Sequence, residues 1–400
     1  MHDNMTILLI TFVVLGYGYF SKSLQRYNIS GPMVFTTIGI LLSPVTFSLV
    51  ELNLDAKVVT ITAEIALIII LFSDASSLNL KQIKWNIPAR LLFIGLPLTI
   101  AFSTLIAELF FPQESSIYLL LMALLLAPTD AALGKAVVLD KKVPLKVKSS
   151  INIESGLNDG IVFPILLGVI AIITASQENI QETHWFLLVG KQIIFGAIIG
   201  SFLGYINALF SLSTIKKDEM EASYKNLIPM AIAILSYYAA EHFGGNGFIA
   251  AFFSGLFLGN YNDKLRDNVE NFVESESELL ILISFMVFGL VFVPATIHFW
   301  DIKVFIYSVL SLSILRMLPV AISLFGSKLD LATTLFIGWF GPRGIASILY
   351  VLIVVHEVIS IKAHETIYAV VTVTILLSIF LHGISARPLV NLYYKNHKDN

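Results

Sequence analysis

The segment Glu154-Ser-Gly-Leu-Asn-Asp-Gly160 carries two carboxylates and an amide inside a stretch that is apolar enough to cross a bilayer. Ionisable groups in a membrane cost on the order of 2.5–3.5 kcal/mol each on insertion scales, so they usually mark an ion or proton pathway. In a helix, Ser155 and Asp159 share one face, and Glu154 and Asn158 share the next. The first pair offers the oxygen ligands of a half-site for a monovalent cation. The second pair needs a cationic or hydrogen-bonding partner.

Two arginines lie deep in the predicted membrane spans, Arg316 and Arg343. Arginine keeps its charge when buried, and its planar fork suits a carboxylate. We expect Arg316 to pair with Glu154 and to link to Asn158. We place Arg316 ahead of Arg343 because Arg316 lies in a continuous predicted helix and Arg343 in an interrupted one.

A second acidic position, Asp130, follows Pro128 and Thr129 within another apolar segment. Proline frees a backbone carbonyl in a membrane helix, and an ion or a helix end can satisfy that carbonyl. We expect the Asp130 side chain and the Thr129 carbonyl to face Asp159 across the site. Two carboxylates close together in a dry site hold either a proton or a cation. The pattern therefore predicts a site at Asp130, Ser155 and Asp159 where a monovalent cation and a proton compete.

The composition indicates a polytopic membrane protein. Of the 400 residues, 56% are hydrophobic and 13% are charged, and the mean hydropathy is +0.83. Apolar runs long enough to span about 30 Å of hydrocarbon recur along the chain. We predict thirteen spans, which start near residues 4, 31, 57, 86, 115, 147, 185, 225, 247, 278, 302, 331 and 364.

The loop charges predict the orientation of the spans. Lys and Arg accumulate on the cytoplasmic side, and one set of alternate connections holds 19 of the 25 basic residues while the other set holds three. The amino terminus is therefore expected outside and the carboxyl terminus in the cytoplasm. A short tail, no cysteine and no eukaryotic targeting pattern favour a prokaryotic inner membrane. The chain has no cysteine, which excludes disulfides and thiolate metal sites. No basic arm suggests nucleic acid.

The spans predict an inverted repeat, because six precede the seventh and six follow it with opposite orientation. Transporters of this design bind substrate where helices in corresponding positions of the two halves are interrupted. Spans five and twelve each have proline and glycine in mid-span, in the runs 127–134 and 339–344.

Several other polar residues fall in or near the spans. Glu64 and Asp74 in span three either line a water-filled approach or hydrogen-bond to neighbouring helices. The histidines are placed near predicted span ends, His382 among them.

The combination of Thr129-Asp130, Glu154-Ser155, Asn158-Asp159 and Gly341-Pro-Arg-Gly344 resembles the NhaP-type sodium/proton antiporters, a group related to the animal sodium/proton exchangers. The resemblance covers nearly the whole chain. It implies an all-α homodimer that works by alternating access without a cofactor. It also implies dimerisation-type helices at 1–85 and 225–296, an ion-translocating core at 86–180 and 302–392, and a linking helix at 185–212. It also implies cation binding at Asp130, Ser155, Asp159 and the Thr129 main chain, and core stabilisation by Glu154, Asn158 and a buried arginine.

The Asn-Asp pair, in place of the Asp-Asp of the related electrogenic branch, implies electroneutral exchange of one cation for one proton. Glu64 matches a family carboxylate near a funnel. Within transport, a K⁺/H⁺ antiporter or a gated cation channel on the same scaffold is the alternative. An intramembrane hydrolase using Asp130 and Asp159 is a remote alternative, because no second catalytic motif accompanies them. The chain is therefore expected to be a transporter and not an enzyme.

Overall fold

The structure is a computed structural model that describes residues 2–50, 57–81, 83–138, 140–178, 182–272, 277–357 and 364–398. Every regular element in these residues is helical, which confirms the all-α fold class. The α-helices in chain order are α1 (His2–Arg26), α2 (Gly31–Leu42), α3 (Lys57–Ser77), α4 (Asn86–Arg90), α5 (Leu96–Phe110), α6 (Ser116–Leu125), α7 (Ala131–Val138), α8 (Leu145–Glu178), α9 (Glu182–Lys216), α10 (Ala222–His242), α11 (Gly247–Tyr261), α12 (Asp263–Phe272), α13 (Glu278–Val287), α14 (Val293–Thr296), α15 (Ile302–Leu312), α16 (Ile314–Ser323), α17 (Leu331–Trp339), α18 (Ile345–Glu357) and α19 (Glu365–Lys398).

Helices begin within three residues of every predicted span start. Several helical segments, three of which contain two consecutive α-helices, are long and apolar enough to cross a membrane, namely Asn86–Phe110, Leu145–Thr174, Leu187–Lys216, Glu278–Phe299, Ile302–Ser323 and Glu365–Lys395. Shorter apolar helices are Gly31–Leu42, Ser116–Leu125, Gly247–Tyr261 and Ile345–Val355. The chain is a multi-pass membrane protein, and the total of thirteen crossings stays a prediction.

Both predicted interruptions are present. Span five is divided into α6 and α7, and span twelve into α17 and α18. A third interruption, at Ser313 between α15 and α16, contradicts the expectation that Arg316 lies in a continuous helix. The Ser313 hydroxyl donates to the Val309 carbonyl at 2.6 Å, and the Ser313 amide divides its bond between the Val309 and Leu310 carbonyls. A serine bonded back to its own helix in this way bends the helix.

One compact unit comprises Met1–Thr60, Asn86–Ser155 and Ile281–Asn400, and it contains all three interruptions. Apolar side chains of α4, α7, α8, α16, α17 and α19 form a buried cluster at one end of it. In the same unit, α2 packs backbone to backbone on the end of α13 and the wide helical turn Phe288–Phe292. A Cβ added to Gly39 would overlap the Met286 carbonyl, and one added to Gly289 would overlap the Thr36 carbonyl. These contacts fix the helices that carry the interruptions.

The other compact unit comprises Ile61–Trp85 and Gly156–Leu280. On α9, Gly196, Gly200 and Gly204 lie four residues apart and face the backbone of α11, where any added Cβ would overlap a carbonyl or press against it. Small residues at this spacing let membrane helices approach closely. On its other side, α11 presents Gly255 and Gly259 to the backbone of α3.

Candidate functional site

The interruption of span five leaves carbonyls without helical partners. Proline at 128 cannot donate a backbone hydrogen bond and ends the regular pattern after α6. The freed carbonyls of Ala127 and Pro128 accept from Nη1 of Arg343, at 2.7 and 3.1 Å. The positively charged Arg343 side chain, which belongs to the interruption of span twelve, therefore covers the carboxyl end of α6, where the helix dipole favours positive charge.

At the interruption of span twelve, the backbone is bound by Asp130 from the interruption of span five. The Asp130 amide donates to the Pro342 carbonyl at 2.8 Å, and the Ile345 amide at the start of α18 donates to Oδ2 of Asp130 at 2.8 Å. The carboxylate thus caps the amino end of α18, where the dipole favours negative charge. Gly344 leaves room for this contact, since a Cβ there would overlap Oδ2 of Asp130.

Two hydroxyls meet beside the first interruption. Oγ1 of Thr129 and Oγ of Ser155 on α8 lie 2.9 Å apart, and both residues are buried. The sequence predicted that the Thr129 main chain and the Ser155 side chain act together, and the structure brings the two residues into contact. Asp130 follows Thr129 directly, so hydroxyl, carbonyl and carboxylate oxygens are concentrated within one short segment and its neighbour.

Glu154 forms a buried ion pair. Nη2 of Arg316 lies 2.6 Å from Oε1 of Glu154, with side-chain exposures of 2% and 3%, and the contact is electrostatic without hydrogen-bond alignment. Arg316 is thus the partner expected for Glu154, although the reason given for preferring it over Arg343 was wrong, because α15 and α16 are separated at Ser313. A Cβ on Gly341 would stand 2.6 Å from Nε of Arg316, so glycine there admits the guanidinium.

Asn158 and Asp159 also lie on α8, but they belong to the second compact unit. Both side chains are buried, with exposures of 1% and 3%. Their grouping with Asp130 and Ser155 in one ion site stays a prediction. The link from Asn158 to Arg316 stays a prediction as well.

Glu64 and Asp74 are half-buried on α3. The Tyr237 hydroxyl on α10 is hydrogen-bonded to the Glu64 carboxylate, which supports the structural alternative for Glu64. The backbone carbonyl of Asp74 faces Gly156 of α8, where an added Cβ would lie 3.5 Å away. A pathway role for either residue stays a prediction.

Two features of this site were not predicted from the sequence. Asp130 was expected to be a cation ligand, and its carboxylate also caps α18. Arg343 was expected to compete with Arg316 for Glu154, and its guanidinium caps α6. A signal was available, because each interruption carries one charge and the two charges are opposite. Opposite charges in crossing interruptions suit opposite helix ends.

Comparisons with known proteins identify the family of the chain. Residues 8–392 match the protein family described as "Sodium/hydrogen exchanger, transmembrane". The Na⁺/H⁺ antiporter of Schizosaccharomyces pombe is 26% identical over 93% of this chain and 87% of its own length. The K⁺/H⁺ antiporter NhaP of Alkalimonas amylolytica is also 26% identical, over 96% of this chain and 66% of its own.

The fold is similar to a solved structure. The sodium proton antiporter MjNhaP1 of Methanocaldococcus jannaschii superposes with a TM-score of 0.79 at 18% identity, over 98% of this chain and 100% of that one. The family match covers nearly the whole sequence, including the interruptions of spans five and twelve. The chain belongs to the sodium/hydrogen exchanger family.

Proposed function

We propose that this protein exchanges Na⁺ for H⁺ across the membrane, one for one and without net charge movement, by alternating access, and that Li⁺ is also accepted. The observation that carries the proposal is the buried acidic site at the interruptions of spans five and twelve, where Asp130, Thr129 and Ser155 bring several oxygen atoms together. Family membership supports the same activity. The proposal makes the chain a transporter and not an enzyme, and it requires no cofactor.

In this proposal the cation is bound by Asp159, Asp130, Ser155 and Thr129. Asp130 accepts backbone amides on both carboxylate oxygens, from Ile345 at 2.8 Å and from Leu133 at 3.4 Å. We therefore assign Asp130 a fixed negative charge that attracts the cation and Asp159 the exchange of proton for cation. Glu154, Asn158, Arg316 and Arg343 hold the core together.

The wider assembly is part of the proposal. We place the chain in a prokaryotic inner membrane. Its amino terminus is outside and its carboxyl terminus is in the cytoplasm, an orientation that the loop charges favour. It forms a homodimer through helices in 1–85 and 225–296, while 86–180 and 302–392 translocate the ion and 185–212 link the two parts. Glu64 and Asp74 are assigned to the approach to the site.

K⁺/H⁺ exchange is the second candidate. A relative of similar identity, the NhaP of Alkalimonas amylolytica, is named as a K⁺/H⁺ antiporter. Both ions need the same oxygen ligands, and selection between them depends on small differences in cavity size. A cation channel would conduct without obligatory proton coupling, and an intramembrane hydrolase would cleave peptides without moving ions.

The test uses purified protein in proteoliposomes with a trapped pH dye. Addition of Na⁺, Li⁺ or K⁺ outside should move protons at a rate that is unchanged when the membrane potential is clamped. Asp159→Asn should abolish this movement. Cation flux without proton movement would indicate a channel, and proton movement that persists in Asp159→Asn would place the exchanging group elsewhere.

A further inference from the structure

The interruption of span twelve exposes backbone groups in the middle of a membrane helix. Trp339 ends α17 and Ile345 begins α18, so the regular helical ladder is broken between them, although the Phe340 amide still donates to the Phe336 carbonyl. In a bilayer the backbone groups that are freed must find partners within the protein. The Trp339 carbonyl accepts from the Gly341 amide at 2.8 Å, and its second partner, like the partner of the Arg343 amide, comes from α19.

One face of α19 carries these partners. Ser378, His382 and Ser385 are four and three residues apart, so their side chains lie along the same side of the helix. The Ser378 hydroxyl accepts from the Arg343 amide at 2.7 Å. Nε2 of His382 lies 2.9 Å from the Trp339 carbonyl.

The Trp339 side chain is held by the same face. Its indole Nε1 donates to Oγ of Ser385 at 3.0 Å. The indole and the His382 imidazole pack with ring centroids 5.0 Å apart. The carboxyl end of α17 is therefore fixed by both its backbone and its last side chain.

The donors and acceptors fix the role of Nε2. The Trp339 carbonyl can only accept, so Nε2 of His382 carries a proton. The Arg343 amide can only donate, so the Ser378 hydroxyl oxygen accepts from it. Nδ1 of His382 lies 3.2 Å from the Ser378 hydroxyl and 3.0 Å from the Ser378 carbonyl. It accepts from the hydroxyl in the neutral imidazole and donates to the carbonyl in the imidazolium.

We call Ser378 and His382, with the Arg343 amide and the Trp339 carbonyl that they bind, the clamp. The clamp is joined to the candidate site through Arg343. Arg343, whose amide is bonded to Ser378, is the residue whose guanidinium covers the Ala127 and Pro128 carbonyls. Two residues further along, the Ile345 amide binds Asp130. His382 and Ser378 are thus connected to Asp130 through the backbone of one short segment.

We propose that His382 and Ser378 are positioning residues for cation exchange. Nε2–H of His382 holds the Trp339 carbonyl, and Nδ1 lies against Ser378, whose hydroxyl holds the Arg343 amide; together these contacts set the positions of Arg343 and Asp130. This proposal rests on the proposed exchange activity for its functional part. Its structural part is measurable without transport.

The first experiment is hydrogen–deuterium exchange of the peptide that covers residues 340–346, in wild type, Ser378→Ala and His382→Leu. Ser378→Ala removes the acceptor of the Arg343 amide, and His382→Leu removes the donor to the Trp339 carbonyl and the side chain that lies against Ser378, so each change should speed exchange of this peptide about tenfold or more. Thr374→Val is the matched control, because the buried Thr374 hydroxyl lies one turn away on α19 and donates to the Val370 carbonyl of its own helix at 2.7 Å. Unchanged exchange in folded Ser378→Ala would overturn the clamp, whether or not the protein transports.

The second experiment measures the KM for the cation and the maximal rate in proteoliposomes. We expect Ser378→Ala and His382→Leu to raise KM about tenfold, His382→Gln to stay within about twofold because its amide can both donate and accept, and Thr374→Val to match wild type. If His382→Leu does not fold, Ser378→Ala carries the test, since it removes a single oxygen. Faster deuterium exchange with a wild-type KM would overturn the positioning role. If wild type itself moves no cation, the proposed exchange fails, while the deuterium result still decides the clamp.

Discussion

Removal of Arg316 should be among the most damaging single changes in the first compact unit. The Arg316–Glu154 pair is almost fully buried, with side-chain exposures of 2% and 3% and a 2.6 Å separation between Nη2 and Oε1. Breaking a buried pair by removing one partner costs about 3–5 kcal/mol, because the remaining charge stays buried without compensation. We therefore expect Arg316→Met to lower the free energy of unfolding by about that amount.

The assay is equilibrium unfolding in mixed micelles, read as a double-mutant cycle. Glu154→Gln together with Arg316→Met should cost at least about 2 kcal/mol less than the sum of the two single changes, because neither charge is then left alone. A charge exchange, Glu154→Arg with Arg316→Glu, should likewise recover folding relative to its single changes. Arg387→Met is the control, since this exposed arginine should contribute less than about 1 kcal/mol. Additive single changes would refute the pairing as a source of stability.

Three further predictions concern close contacts in the two units. Gly344→Ala should reduce exchange about tenfold or more because its Cβ would overlap Asp130, whereas Gly134→Ala, with no atom within 4 Å of the added Cβ, should retain exchange in the same proteoliposome assay. Gly200→Val should prevent recovery of folded protein because α9 and α11 touch at that point, and Gly190→Val on the same helix, where the Cβ would meet open space, should be recovered at wild-type yield by size-exclusion chromatography. Asn260→Ala should cost about 1–3 kcal/mol in the unfolding assay, because its amide binds the Leu78 and Leu256 carbonyls and accepts from the Leu80 amide; a loss within error of zero would show that water replaces the side chain.

The sequence predicted the helices well because apolar length is a local property. The start of each predicted span agrees with a helix start, and both proline-containing interruptions are present where proline and glycine occur together. The interruption at Ser313 was not predicted, because its residue type does not mark it: Ser149 and Ser150 make the same hydroxyl bond to the carbonyl four residues earlier, and α8 is continuous there. Serine is common in membrane helices and usually leaves them continuous.

The site was predicted in part. The choice of Arg316 as partner of Glu154 follows from charge alone, and the pair is present. The capping of α18 by Asp130 and of α6 by Arg343 depends on how two distant segments cross, which spacing along the chain does not reveal. His382 was placed near a span end, but it lies in the middle of α19, because that helix continues beyond its apolar part to Lys398.

Calorimetric titration of Na⁺ into the purified protein, repeated in buffers of different ionisation enthalpy, tests the competition between cation and proton most directly. The difference between buffers gives the number of protons released for each cation bound. We expect about one proton to be released per cation bound at a pH where the empty site is protonated. In Asp159→Asn this proton release should be lost. Cation binding with no proton release at any pH would contradict competition at one site, and with it the exchange mechanism proposed for this protein.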